Sequence, residues 1–134
     1  NSRLDTIQAI ILNEKIKNLD KHNKNRQRIA KFYDKQIVNK NITKLDYSLS
    51  CVYHQYVILI KDKKKLIDQF NLKKIGFGFH YPYAIHQLEV FKNKFRNKKF
   101  TNAEKLAKNG ISIPIDPNLK QKDLNTIVNT INGL

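Results

Sequence analysis

The residues best suited to chemistry stand together in His80-Tyr81-Pro82-Tyr83-Ala84-Ile85-His86. Two imidazoles and two phenols can hydrogen-bond a polar ligand, stack on a ring or pass a proton. Pro82 sets a turn, and Gly76 and Gly78 just upstream let a ligand or another backbone come close. The same residues also suit an aromatic turn whose histidines are satisfied surface groups. The pattern alone leaves both readings open, although clusters on loops carry function more often than clusters in cores. A second polar group, Asn1-Ser2-Arg3-Leu4-Asp5, precedes an apolar-periodic stretch. Helix starts favour anions, and Arg grips phosphate or carboxylate in a fork, but such a segment is by default just a cap.

Other chemistries fit poorly. Four histidines (His22, His54, His80, His86) and Cys51 are the zinc-type ligands. The spacings Cys51-x2-His54 and His80-x5-His86 do not match the close pairs of structural zinc sites, so no metal is expected. There is no nucleophile elbow for a Ser-His-Asp triad, and Gly76-Phe77-Gly78 is too short for a phosphate loop. The lone Cys51 excludes an internal disulfide and fits a reducing, cytoplasmic compartment. It reads as a small half-buried residue.

These groups need elements to position them. Leu4 to Ile37 holds neither Gly nor Pro, and its apolar residues recur at steps of three and four. That predicts one long helix or two in tandem, with a break near the all-polar Asp20–Asn25. Asn39–Leu49 reads as irregular, Val52–Ile60 as a buried strand, and Lys63–Phe70 as a helix capped by Asp62. Ile75–Phe79 reads as a Gly-interrupted strand that Pro82 terminates, and Phe91–Phe100 as a basic surface loop. Thr101 with Glu104 suggests a capping box for a helix that stops at Gly110. Ile111–Ile115 is a short strand, and Lys120–Ile131 a last helix with Leu124, Ile127, Val128 and Ile131 on one face. The sum is a small α/β (α+β-like) domain over residues 38–134, its short sheet covered by helices. Residues 1–37 form a connecting helix or helix pair that is oversized for it.

Composition bounds the rest. The 134 residues suffice for one modest core, with 40% hydrophobic and 28% charged residues as in a soluble globular domain. No apolar run approaches the roughly 20 residues of a membrane span. The net charge of +15 would attract nucleic acid, and a basic nucleic-acid-binding module or a non-catalytic partner domain is the alternative reading. Yet the lysines are scattered through nearly every segment beside Asn and Ile, and a basic footprint should cluster on one face. The chain has no Met and opens on Asn1-Ser2-Arg3, so it reads as a fragment.

Taken in order, five segments resemble the DegT/DnrJ/EryC1/StrS sugar aminotransferases. Asn1 to Ala9 is similar to the signature N-x-R-x-x-x-x-Q-A, and Arg26, Ala30 and Tyr33 fit R-x-x-x-A-x-x-Y. Val52–Ile58 resembles the family's central strand, and Gly78–Pro82 with His86 its HYP-x-x-x-H turn. Asn102–Glu104, Leu106-Ala107 and Ser112–Pro117 resemble its N-A-E-x-L-A … S-L-P-x-x-P ending.

The resemblance implies the C-terminal part of a fold-type-I aminotransferase whose cofactor is pyridoxal 5'-phosphate (PLP). Glutamate would be the amino donor, a nucleotide-linked keto sugar the acceptor, and a homodimer the working assembly. It implies that Asn1 reaches the PLP phosphate of the partner subunit. It makes Arg3, His80 and Tyr81 candidates for substrate contacts in that site, with His86 a weaker one. The lysine that carries PLP, the acidic partner of its ring nitrogen and the stacking aromatic all belong upstream in the family, so this piece alone is expected to be inactive. Two positions depart from the pattern. Ala84 stands where the family often has Pro, and Phe77 replaces a small polar residue, which is expected to alter the pocket.

Overall fold

A computed structural model describes residues 3–48 and 50–134. The opening stretch folds as two helices, α1 (Thr6–Ile16) and α2 (Leu19–Gln36). Asp5 caps α1 by accepting the Gln8 N–H at 2.8 Å. The break falls at Lys17-Asn18, earlier than the polar run Asp20–Asn25, which is helical. Polar residues cost a helix only tenths of a kcal/mol each, and α2 is held by tertiary contacts instead. Ile29, Ala30 and Tyr33 are buried, and the Asn25 amide donates to the Pro117 carbonyl at 3.2 Å.

Three strands form one antiparallel sheet in the order β1 (Ile42–Lys44), β2 (Tyr56–Ile60), β3 (Gly110–Ile113). Strand β1 lies within the segment expected to be irregular. It is short and pairs Ile42 with Ile60 and Lys44 with Ile58. The central strand starts at Tyr56 rather than Val52. Tyr53 takes a left-handed φ of 52°, and its N–H donates to the Cys51 thiol at 3.3 Å, a local turn that removes the backbone from the ladder. Just past the end of β1, the Tyr47 hydroxyl accepts the Val57 N–H at 3.0 Å. That occupies the open edge of β2. The expected strand at Ile75–Phe79 reduces to a single bridge, Gly78 with Ser112 of β3.

Helices α3 (Lys63–Leu72), α4 (Glu89–Lys92), α5 (Thr101–Asn109) and α6 (Gln121–Asn132) complete the chain. Asp62 caps α3 through the Lys65 N–H, as expected. Helix α4 occupies the start of the segment expected to be a loop. Phe100, not Thr101, is the cap residue of α5. Glu104 still closes that helix start, accepting the Phe100 N–H at 3.0 Å. Gly110 ends α5 in extended rather than left-handed backbone. Its glycine identity follows from crowding, because a Cβ there would meet the Leu106 carbonyl oxygen at 2.5 Å.

The core follows from period. Tyr56, Ile58 and Ile60 alternate inward along β2, and α6 buries Leu124, Ile127, Val128 and Ile131 at helical spacing. Between them pack Tyr33 of α2 and Leu66 and Phe70 of α3, each fully buried. The two central phenols are hydrogen-bonded, Tyr33 to the Pro114 carbonyl at 2.7 Å and Tyr56 to the Asp34 carboxylate. Burial pushes both phenol pKa values well up, with the Asp34 hydrogen bond adding to the effect at Tyr56. They therefore stay neutral donors. Asn39 and Asn132 tie the end of α6 to the loop after α2, at 2.8 Å from the Asn39 amide to the Ile131 carbonyl and 3.0 Å from the Val38 N–H to Asn132.

Helix α1 has no buried residue along its eleven positions. None of the described helices is long and apolar enough to cross a membrane.

Candidate functional site

The turn after the Gly78 bridge is anchored from below by aromatic packing. Phe77 lies 6.2 Å from Phe70 and 5.6 Å from Phe79, ring centre to ring centre. Phe77, expected to alter a pocket, thus packs on a core phenylalanine of α3. The Lys63 ammonium sits 4.9 Å over the Phe79 ring and donates to the Ala107 and Gly110 carbonyls at 3.3 and 3.4 Å. It fixes the C-terminal end of α5 against the strand leading into the turn, and partial burial lowers its pKa.

His80 follows directly. Its Nδ1 is 2.9 Å from the Ser112 hydroxyl, and Ser112 is nearly buried, at 7% exposure. The two residues are brought together by the backbone pair between Gly78 and Ser112, at 2.8 and 3.1 Å. Gly78 leaves room for the ring, since a Cβ there would come within 2.8 Å of the His80 Cε1 and the imidazole would have to shift. Tyr81 stands edge-on to the imidazole with ring centres 5.8 Å apart. Tyr81 and Tyr83 are both well exposed, at 73% and 64%.

His86 is placed differently. After Ala84, which is buried, a short 3-10 turn (Ile85–Gln87) carries it inward. Its Nε2 lies 3.0 Å from the Glu104 carboxylate, and its ring packs 4.8 Å from Phe100. The same Glu104 oxygen accepts the Phe100 N–H. His86 therefore joins the turn to the start of α5, and its side chain is only 11% exposed. The Glu104 carboxyl is held below its usual range, first by the Phe100 N–H and then by His86.

That shift has a testable consequence. A carboxyl whose folded pKa is depressed adds stability above its unfolded pKa and loses it as pH falls through the folded value. Glu104→Gln should lower the thermal midpoint at neutral pH. The gap from the parent protein should close in acid below the ordinary glutamate range. A gap that persists unchanged in acid would sink this account.

The structure thus brings His80 and Tyr81 to one exposed edge and sets His86 behind them. Arg3 is exposed in the extended stretch before α1, and none of the hydrogen bonds among the described residues joins it to the turn. Asn1 lies outside the described residues. Ser112, Glu104 and Lys63 were missed as parts of this neighbourhood. The motif S-I-P held the signal for Ser112, but nothing local shows that it faces residue 80. Two open depressions lie elsewhere. One, of about 480 Å³, is lined by Lys40, Lys61, Lys65 and Lys105 among others; the second, of about 590 Å³, lies between Leu12, Ile16, Leu19, Arg26 and Pro117. Neither includes a residue of the turn.

Comparison with known proteins supplies the context. The model of the DegT/DnrJ/EryC1/StrS aminotransferase family matches residues 1–132. The chain is 27% identical over 134 residues to a dTDP-3-amino-3,6-dideoxy-alpha-D-galactopyranose transaminase of Aneurinibacillus thermoaerophilus, covering 98% of this chain and 37% of that protein. It is also 27% identical to a UDP-N-acetyl-3-dehydro-alpha-D-glucosamine 3-aminotransferase of Acidithiobacillus ferrooxidans, covering 98% of this chain and 36% of the relative. A crystal structure of a DegT DnrJ EryC1 StrS aminotransferase from Brucella abortus superposes with a TM-score of 0.86 at 26% identity, over 99% of this chain and 36% of that one. The chain therefore spans little more than a third of the length of these relatives.

Proposed function

Because the chain belongs to the DegT/DnrJ/EryC1/StrS aminotransferase family, we propose that it is the C-terminal portion of a PLP-dependent enzyme that transfers an amino group from glutamate to a nucleotide-linked keto sugar. The observation that carries this reading is the exposed His80-Tyr81 edge, seated on a nearly buried serine within a chain that matches nucleotide-sugar transaminases over 98% of its length. A neutral imidazole N–H and a phenol O–H suit sugar hydroxyls and phosphate oxygens. They face outward, as groups that complete a site formed with another surface would.

PLP, when bound, would supply the electron sink for the transfer. The described residues of this chain do not hold it by themselves. Lys63, which packs on Phe79 before the turn, is spent on two carbonyls and an aromatic face. The residue assigned to the PLP phosphate, Asn1, lies outside the described residues. The cofactor therefore belongs to the remainder of the enzyme and to its homodimeric partner. Residues 1–37 are the connection to that remainder, and 38–134 the small domain. Helix α1 is the surface that the remainder covers.

The roles of this chain's residues are binding and orientation. His80 and Tyr81 contact the sugar or its diphosphate, Arg3 adds a cationic fork in the same site of the partner subunit, and His86 with Glu104 fixes the loop that carries the first two. The test is made in the full-length protein, with glutamate and UDP- or dTDP-linked keto sugars. His80→Ala should lower kcat/KM by about 100-fold, the order of effect expected when buried polar partners lose a hydrogen bond in a specific site. The absorbance of bound PLP should be retained. Turnover by the variant equal to that of the parent enzyme removes the turn from the site. Transamination by the isolated 134-residue chain would overturn the assignment as a portion.

A further inference from the structure

We infer that Ser112 fixes His80 as its Nε2–H tautomer, so that the turn presents one directed N–H donor to an oxygen of the sugar substrate. The donor role rests on the functional reading above; the tautomer does not.

The argument begins with the hydroxyl. Ser112 lies in β3 and uses its backbone N–H and carbonyl on Gly78, at 2.8 and 3.1 Å. Its side chain is left with one partner among the described residues, His80 Nδ1 at 2.9 Å. Two arrangements satisfy that distance. If Nδ1 carries the proton, the ring donates and the serine O–H has no acceptor in a nearly buried position. An orphaned buried hydroxyl costs about 1–3 kcal/mol. If Ser112 donates, Nδ1 accepts and both groups are satisfied. The second arrangement wins by roughly ten- to a hundredfold in population. A neutral ring whose Nδ1 accepts carries its proton on Nε2.

The ring is also held in direction. The hydrogen atom is all that Gly78 places beside Cε1, where any Cβ would stand at 2.8 Å. The Tyr81 ring stands edge-on to it at 5.8 Å. Nε2 itself has no partner among the described residues, and His80 is exposed. A donor preset by packing and by a hydrogen bond from behind loses little freedom when it binds. Its complement is an acceptor oxygen, such as a sugar hydroxyl, keto or phosphate oxygen, and not another N–H.

Ser112 is therefore a positioning residue, and its test needs a readout that simple loss of stability does not move. The full-length protein with bound cofactor is labelled with 15N-histidine, and the ring signals of His80 are identified by their absence in His80→Gln. The parent protein should show the Nε2–H pattern at a pH where the ring is neutral. Ser112→Ala should turn it into a mixture of tautomers, and Ser112→Thr, which keeps the hydroxyl, should restore it. In kinetics, Ser112→Ala should raise KM for the keto sugar about tenfold, the equivalent of about 1.4 kcal/mol, with kcat within about twofold and Ser112→Thr close to the parent. An Nδ1–H pattern in the parent, or one that Ser112→Ala leaves unchanged, overturns the inference. A tautomer that shifts in Ser112→Ala with KM unmoved overturns the donor role. If His80→Ala has full activity while the tautomer follows Ser112, the functional reading fails and the fixed ring stands.

Discussion

Phe70→Ala should destabilise the fold by about 3–5 kcal/mol. That is a large share of the roughly 5–15 kcal/mol that holds an ordinary domain together. Phe70 is fully buried on α3, and deleting its ring leaves both lost burial and a cavity. The consequence extends beyond stability. Phe70 supports Phe77, and Phe77 supports Phe79 at the entrance to the His80 turn. A protein that survives the substitution should therefore show a looser turn, with faster amide exchange at Gly78 and Ser112. Urea unfolding of the variant beside the parent reads the first effect, and hydrogen exchange the second. A loss below about 1 kcal/mol would place this ring outside the mechanisms that make substitutions costly.

The second large effect concerns α1. Ile7, Ile10 and Ile11 share one side of this helix, and Leu12 and Ile16 the other, yet all five are exposed, Ile7 at 73% and Ile16 at 65%. Gln8, Asn13, Glu14 and Lys15 interrupt the apolar residues of this helix, yet exposed isoleucines and leucines on both of its sides mark an interaction surface. Prepared alone, the 134-residue chain should self-associate through α1. Its net charge of +15 opposes that, so association should strengthen as salt screens the repulsion. Ile7→Glu with Ile11→Glu should return most of it to monomer in sedimentation velocity. A wild-type chain that stays monomeric at high salt, or an association that salt dissolves, would falsify the assignment of an apolar contact. If the full-length protein covers this helix, as proposed, the same pair should lower stability there.

Much of the molecule was legible in residue patterns, for reasons that are local. The β-branched and aromatic residues of Val52–Ile60 mark a buried strand because such side chains pack well on a pleated surface, and the structure keeps Tyr56–Ile60 of it. The spacing of Leu124, Ile127, Val128 and Ile131 marks a helix because residues three and four apart share one face. Asp62 before Lys63 reads as a cap because the carboxylate meets an orphan N–H within its own turn. Two of the expectations that failed have different causes, one a tertiary contact and the other a local turn. The polar run Asp20–Asn25 stays helical because α2 is anchored by its buried end and by Asn25 on Pro117. Val52–Gln55 leaves the sheet because Tyr53 turns to left-handed backbone over Cys51.

The candidate site divides in the same way. Its residue types, a His-Tyr-Pro turn after a glycine strand and an Asn-Arg segment before a helix, are written in the chain and carry the family resemblance. Which of them face outward together is not. His80 and His86 are six residues apart and look equivalent in sequence. The fold separates them: one is held by Ser112 at an exposed edge, the other is turned inward onto Glu104. Those partners lie 32 and 18 residues away along the chain. Local pattern fixes period, caps and turns, since these depend on neighbours. The direction of a side chain and the proton it carries depend on groups that only folding brings within about 3 Å.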